Sequence, residues 1–335
     1  MDPLTQGLLG ASFGQALYGR ALGRRAVVWG ALVGMTPDLD VLASPVSPMA
    51  EWLWHRGPTH ALVFGPAVGP AIGWLLWTWK GGRLRDWVGL CVVALFTHPL
   101  LDAFTTYGTQ LLWPFSRQRF AFDAIAIVDP VYSLALAVAL ALGLRRGVST
   151  TLARRAAWTA LALSSAYVGL GLAVNARAEA LGRRQLLAEG VAEARVAAYP
   201  TLFQLPFRRV VARRGDEVRV GWLSVLAPRP IAWELFLAAH GPLVEAARGA
   251  PEVRVLEWFA MGEATPRVEE AGPVVEFDDL RYGFPGRPRD GLWGVRVRLD
   301  PAGRPLGPGE RFDRELPGSA PELAGQLWRR TLGAS

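Results

Sequence analysis

The chain has 335 residues, of which 51% are hydrophobic and 19% charged, and its formal net charge is +7. That length allows two domains, and the basic excess does not signal a nucleic-acid binder, because the lysines and arginines gather in short loops between apolar runs, as membrane topology requires. A single cysteine, Cys91, lies within an apolar run, which excludes a disulfide framework or a cysteine-rich metal knuckle.

Met1-Asp2-Pro3 lacks the basic start and cleavage site of a signal peptide, so it is expected to belong to the mature protein. Residues 4–18 form a short apolar stretch in which Gly7/Ala11 and Gly10/Gly14 lie four apart, a spacing that suits close helix packing in lipid. The second segment, 26–43, contains only Asp38 and Asp40 as charges. A loop with Pro45, Pro48, Trp52 and Trp54 leads to His55 and His60, and the tryptophans here and at Trp113 read as interfacial anchors. Residues 61–79 and 156–176 carry no Asp, Glu, Lys or Arg and meet the requirement of about 20 apolar residues for a span. Segments 87–103 and 125–144 do so once their polar ends are counted.

Beyond Arg177 the charges are evenly spread. Strand-like runs fall at 207–213, 217–226, 252–261, 273–284 and 292–300, with turns at Arg214-Gly215-Asp216 and Asp300-Pro301-Ala302-Gly303. Helices are expected at 178–193 and 320–332. His240, before a Gly-Pro turn, reads as structural or exposed. The expected architecture is a multi-pass α-helical membrane domain of five or six segments over residues 1–176, then a soluble α+β, mostly β, domain over 177–335.

The loops at 20–25, 80–85 and 145–155 hold ten Lys and Arg, against three in the loops at 44–59 and 103–124. Positive charge marks the cytoplasmic side, so the second set of loops and the C-terminal domain are expected on the extracytoplasmic face. Three polar clusters share that face: Thr36-Pro37-Asp38-Leu39-Asp40, His55-Arg56-Gly57-Pro58-Thr59-His60 and His98-Pro99-Leu100-Leu101-Asp102. Ionisable groups at the ends of membrane segments are expensive and mark function.

His98 and Asp102 are four apart, on one face of a helix. Pro99 marks either a helix start or a kink. Asp38 and Asp40 would repel unless a cation or an arginine lay between them. His55 and His60 are too far apart for one helical face, and the Gly57-Pro58 turn either joins them or places them on opposite walls of a cavity. Taken singly, each histidine reads as a hydrogen-bonded structural residue and each Asp near Pro as a cap or turn former; the set on one face points to a divalent metal. Oxygen and imidazole ligands suit zinc, the leading choice, or manganese or iron. Asp38, Asp40, His55, His60, His98 and Asp102 are the candidate ligands, and Asp38 or Asp40, if not a ligand, is the candidate general base. Arg56, Arg117 and Arg119 are cations available to a phosphate, with a solvated or lipid-headgroup role the equal alternative, and Asp123 or Asp129 reads as a further ligand or as a group that orients a histidine.

The opening Met1-Asp2-Pro3-Leu4-Thr5-Gln6-Gly7, the Pro37-Asp38-Leu39-Asp40 turn, the two histidine boxes and the run Tyr107-Gly108-Thr109 to Trp113-Pro114-Phe115 resemble the YdjM-like family of bacterial and archaeal inner-membrane proteins, classed as metal-dependent hydrolases. The resemblance covers roughly residues 1–175. It implies an inner-membrane location, a metal site at Asp38, Asp40, His55, His60, His98 and Asp102, and hydrolysis. Many members carry a histidine where this chain has Gln6, which removes one ligand. The expected function is hydrolysis of a lipid or lipid-linked (phospho)ester at the extracytoplasmic interface, with membrane lipids as partners and no nucleic acid. The alternatives are a non-enzymatic membrane protein with a structural metal and a partner-binding soluble domain and, third, a transporter, against which stand the one-sided placement of the polar residues and the lack of a two-fold repeat.

Overall fold

The computed structural model describes residues 1–43, 47, 49–269, 272–316 and 318–333; Pro45 and Pro48 of the expected loop lie outside them. The chain divides into two compact units, one of residues 1–45 and 54–172, the other of 46–53 and 173–335.

The first unit is helical. Asp2 caps α1 (Pro3–Phe13) by accepting from the Thr5 N–H at 3.0 Å. A π-helical turn (Gly14–Tyr18) and a short α2 (Gly19–Leu22) carry the chain into α3 (Arg24–Met35). Helices α1 and α3 pack backbone to backbone, for a Cβ added at Gly10 would lie 2.2 Å from the Gly30 carbonyl oxygen. Helix α4 (Ala50–Trp54), of which only Trp54 belongs to this unit, leads through a 3₁₀ turn (Pro58–His60) to α5 (Phe64–Lys80), which packs on α6 (Leu84–Ala103) as closely: a Cβ at Gly73 would lie 2.5 Å from Val88 Cα. Helix α6 continues through Pro99, so that residue starts no new helix. Helix α7 (Pro130–Arg146) is capped by Asp129, which accepts from the Val131 and Tyr132 N–H groups at 3.1 and 3.2 Å and from the Tyr167 hydroxyl at 2.9 Å. Asp129 thus caps one helix and clasps the next, α8 (Thr151–Ala188).

Among the described residues two helices, α6 and α8, are long and apolar enough to cross a membrane, and three if α4 with its 3₁₀ turn and α5, bent by 68°, form one span. Helices α1, α3 and α7, of 11, 12 and 17 residues, fall short of the roughly 20 a span needs.

The second unit holds two antiparallel four-stranded sheets. The first runs β1 (Arg195–Pro200), β2 (Phe207–Arg214), β3 (Glu217–Ser224), β4 (Glu234–Leu237); the second runs β5 (Ala264–Val268), β6 (Val274–Asp279), β7 (Trp293–Arg298), β8 (Glu310–Asp313). Between them lie α9 (Pro242–Arg248) and α10 (Pro251–Phe259), and α11 (Ala320–Thr331) follows, its Leu323 and Leu327 packed on Phe207 and Phe284. The strand expected over 252–261 is helix α10. Its buried residues Val253, Leu256 and Phe259 recur every third position, and Pro251 at the helix start supplies the φ and forgoes an unneeded N–H. Trp52 is no interfacial anchor either: it is fully buried, stacked on Phe259 at 5.2 Å, with the Arg311 guanidinium over its ring at 4.7 Å.

Candidate metal centre

Three segments of the first unit build the site, each placed by its local sequence. Pro37 and the Thr36 hydroxyl, which donates to the Val33 carbonyl at 2.8 Å, turn the chain out of α3 into a 3₁₀ turn (Thr36–Ala43). That turn buries Asp38 and leaves Asp40 half-buried. The histidine box folds round a single carboxylate. Asp40 Oδ1 meets His55 Nδ1 at 2.6 Å, and Oδ2 accepts from the Arg56 N–H at 3.2 Å and the Thr59 hydroxyl at 2.8 Å, with His60 Nδ1 at 3.3 Å. Arg56 takes a left-handed φ of 59° to allow it, an unfavourable conformation for a residue with a Cβ. On α6, His98 and Asp102 point to one side, one turn apart.

Four of the six expected ligands converge. His60 Nε2 and His98 Nε2 are 2.9 Å apart; Asp102 Oδ2 is 3.2 Å from the first and 3.5 Å from the second; Asp38 Oδ1 is 3.5 and 3.4 Å from them. One ligand atom from each of the four lies within 4.8 Å of all the others. With zinc bonds of about 2.0–2.1 Å, a regular tetrahedron has edges of about 3.3–3.4 Å, so the cage has the right size.

The protons point the same way. His98 Nδ1 lies 2.7 Å from the Gly34 carbonyl, which can only accept, so Nδ1 carries the hydrogen and Nε2 presents its lone pair. His60 Nδ1 faces Asp40, which likewise leaves Nε2 bare. Two lone pairs at 2.9 Å and two carboxylate oxygens repel one another unless a cation sits among them. Neither Asp38 Oδ2 nor Asp102 Oδ2 has a hydrogen-bond donor. The residues therefore fit a divalent cation, and the donor set of two nitrogens and two oxygens fits zinc, manganese or iron.

Asp40 and His55 stand beside this cage as a hydrogen-bonded pair, Asp40 linking His55 to His60. Arg56 is buried, donates to the Thr105 hydroxyl at 2.7 Å and has its Nε 3.3 Å from Asp102 Oδ2. Arg119 is buried too, donates to the Gly108 carbonyl at 2.7 Å and lies over the Tyr107 ring; Arg117 is exposed above Trp54. Asp123 sits in the loop before α7 with a left-handed φ of 50°, while the ligands are oriented by Gly34, Asp40 and Gln6. His240 is exposed in the second unit.

Sequence reasoning missed three supports. Gln6 is buried and its amide donates to Asp102 Oδ1 at 3.0 Å and to the His98 carbonyl at 3.2 Å, and the Met1 amino group also meets Asp102 Oδ1. Gln6 thus braces a residue of the cage. The Gly34 carbonyl carries no side-chain signal at all.

The profile of the family described as "YdjM inner membrane protein" matches residues 1–178, a stretch that contains every residue of the cage. The "Inner membrane protein YbcI" of Escherichia coli (strain K12) is 33% identical over 121 residues, covering 35% of this chain and 69% of that protein. The "Uncharacterized protein YfhP" of Bacillus subtilis (strain 168) is 31% identical over 121 residues, 35% of this chain and 36% of that protein. No solved structure matches.

Proposed function

This chain belongs to the YdjM inner membrane protein family, and from that premise we propose that it is a zinc-dependent membrane hydrolase of a lipid or lipid-linked phosphoester. The observation that carries the reading is the cage itself, four buried donors whose lone pairs meet at one point. A divalent ion held there supplies a Lewis acid that polarises a phosphoryl oxygen and makes water a better nucleophile at neutral pH. The chain's own residues divide the remaining work. His60, His98 and Asp102 are fixed from behind, by Asp40, Gly34 and Gln6 respectively. Asp38 is the cage residue nearest the surface, and its second oxygen lacks a donor, so substrate enters past Asp38. Asp40 holds the His55 proton at Nδ1, which leaves His55 to take a proton from attacking water at the rim. Arg117 is the exposed cation for a phosphate.

The same proposal includes the topology: five or six membrane segments, the cage at the extracytoplasmic face, and the second unit on that side, as the distribution of Lys and Arg supports. A second reading has one observation in its favour. All four cage residues are at most 8% exposed, and closed four-ligand sites are the structural kind, whereas catalytic ones keep an open position. Under it the metal is structural and the second unit binds a partner.

Elemental analysis of the purified full chain, beside His60→Ala and His98→Ala, tests both. One equivalent of metal in the wild type, lost in both variants, with release of a soluble product from phospholipid vesicles, is the expected result. Stoichiometric metal with no cleavage of any lipid ester leaves the structural reading. A folded wild type that takes up no Zn, Mn or Fe ends both.

A further inference from the structure

The turn that carries Asp38 and Asp40 has a second face. Leu39 is 57% exposed and Leu42 is 71% exposed, with Val41 bare between them, while Asp38 points inward. Opposite, Trp54 is exposed, and the loop after α6 presents Leu112 and Phe115, the latter 87% exposed. These segments are tied to one another around the site. Asp40 bonds His55, the Gln110 N–H donates to the Arg56 carbonyl at 2.9 Å, the Leu62 N–H donates to the Leu111 carbonyl at 3.0 Å, and Arg117 lies over Trp54 at 5.6 Å. The loop is further closed by the paired Thr109 and Phe120. Its apolar side chains are therefore held outward by a fixed backbone.

Bare apolar residues on a membrane-spanning helix are expected, because lipid covers them. On a 3₁₀ turn and an irregular loop they demand another explanation. Water would leave them uncovered, and irregular backbone facing lipid is excluded from the hydrocarbon core. The interface satisfies both conditions: it solvates the backbone and accepts Trp, Phe and Leu side chains. The rim's exposed cation is Arg117, and it suits the phosphates found at that depth.

We propose that Leu39, Val41, Leu42, Trp54, Leu112 and Phe115 form a collar seated in the phospholipid interface, with Arg117 at phosphate depth, and that the cage takes its ligand sideways from an anionic phospholipid. The seating of the collar is independent of any chemistry; the lateral supply rests on the lipid-ester reading above. Entry beside Asp38 is then entry from the bilayer.

The lone, buried Cys91 allows the test on the full chain. Nitroxides at Leu42→Cys and Phe115→Cys, in vesicles of phosphatidylethanolamine and phosphatidylglycerol, are compared with Leu163→Cys on α8 as the lipid reference and Ala302→Cys in a turn of the second unit as the water reference. Oxygen should outcompete a water-soluble nickel chelate as a collision partner at 42 and 115, as at 163 and unlike 302. Chelate collisions at 42 and 115 matching those at 302 would overturn the collar. Metal content of each labelled protein reports that the cage is intact. Lipid-depth signals without ester cleavage leave the collar standing and remove the hydrolase reading; cleavage with water-exposed labels does the reverse. Arg117→Glu should lower several-fold the enrichment of spin-labelled phosphatidylglycerol over phosphatidylethanolamine around the reconstituted protein while metal content holds, and unchanged enrichment removes the anionic headgroup from the proposal.

Discussion

Both units bury carboxylates, and they satisfy them in opposite ways. In the second unit each acid has its own arginine. Glu276 accepts from Arg267 at 2.6 Å, from Arg296 at 2.8 Å and from Arg314 at 3.1 Å; Asp279 is gripped by Arg281; Glu263 meets Arg195 and Arg213. In the first unit Asp38 Oδ1 and Asp102 Oδ2 face two imidazole nitrogens instead; Asp102 is met by the Met1 amino group and, at its edge, by Arg56, which also donates to Thr105. Buried charge is tolerated only when paired. The arginine-paired acids of the second unit need no foreign cation, whereas Asp38, His60, His98 and Asp102 bring two carboxylates and two imidazoles to one point that a cation would join.

The comparison can be broken by experiment. Chelation, or His98→Ala, should strip the metal completely and lower the melting temperature of the helical unit, since an ion at a hundred times its Kd stabilises by about 2.7 kcal/mol; the β signal in circular dichroism should melt where it did before. If both units shift equally, the distinction fails. Glu276→Ala should do the converse. It leaves three guanidinia without their shared acid at a cost of about 3 kcal/mol, the lower end for a broken buried pair because Arg267 and Arg296 are about one-third exposed, and metal content should not change.

Asp40→Asn sharpens the first arm: the His60 tautomer loses its anchor, and metal affinity, measured by competition with a chelator, should fall about 10- to 100-fold. Acid offers a smaller effect. Burial alone would raise the Glu276 carboxyl, but the hydrogen bonds from Arg267 and Arg296 win and hold it below its ordinary value of 4.5. A depressed carboxyl contributes stability above that value and loses it as pH falls through the folded one, so the β unit should soften below about pH 4.5. Arg296→Gln should move that acid limb toward higher pH. On metal content the smallest effect belongs to His55→Gln, which lies outside the cage and should leave the ion bound even as hydrolysis falls; lost metal would put His55 among the ligands.

Much of the site was legible because its signals are local. His98 and Asp102 share a helix face by spacing alone, and a proline followed by two acids at a segment end announced a turn, which the fold makes 3₁₀. The family followed from the motifs in order. Strand-rich composition after residue 177 gave the character of the second unit, although α10 was missed, since Val253-Arg254-Val255 alternates like a strand over the few residues that propensity senses.

What sequence could not decide was division of labour among six similar side chains. Charge-bearing residues in three clusters were equally good ligands on paper. Tertiary packing put Asp40 behind His60, bonded His55 to Asp40, and aimed one lone pair from each of His60 and His98 at the same point. The Gly34 carbonyl that fixes the His98 tautomer is a backbone atom, and Gln6 braces Asp102 from 96 residues away. Sequence thus determined which chemistry the chain carries and roughly where, because residue type and helical spacing are local. Only the fold decided which atoms face one another, because that depends on how closely α1, α3 and α6 approach, and at the α1–α3 crossing Gly10, Gly30 and Gly34 set that distance.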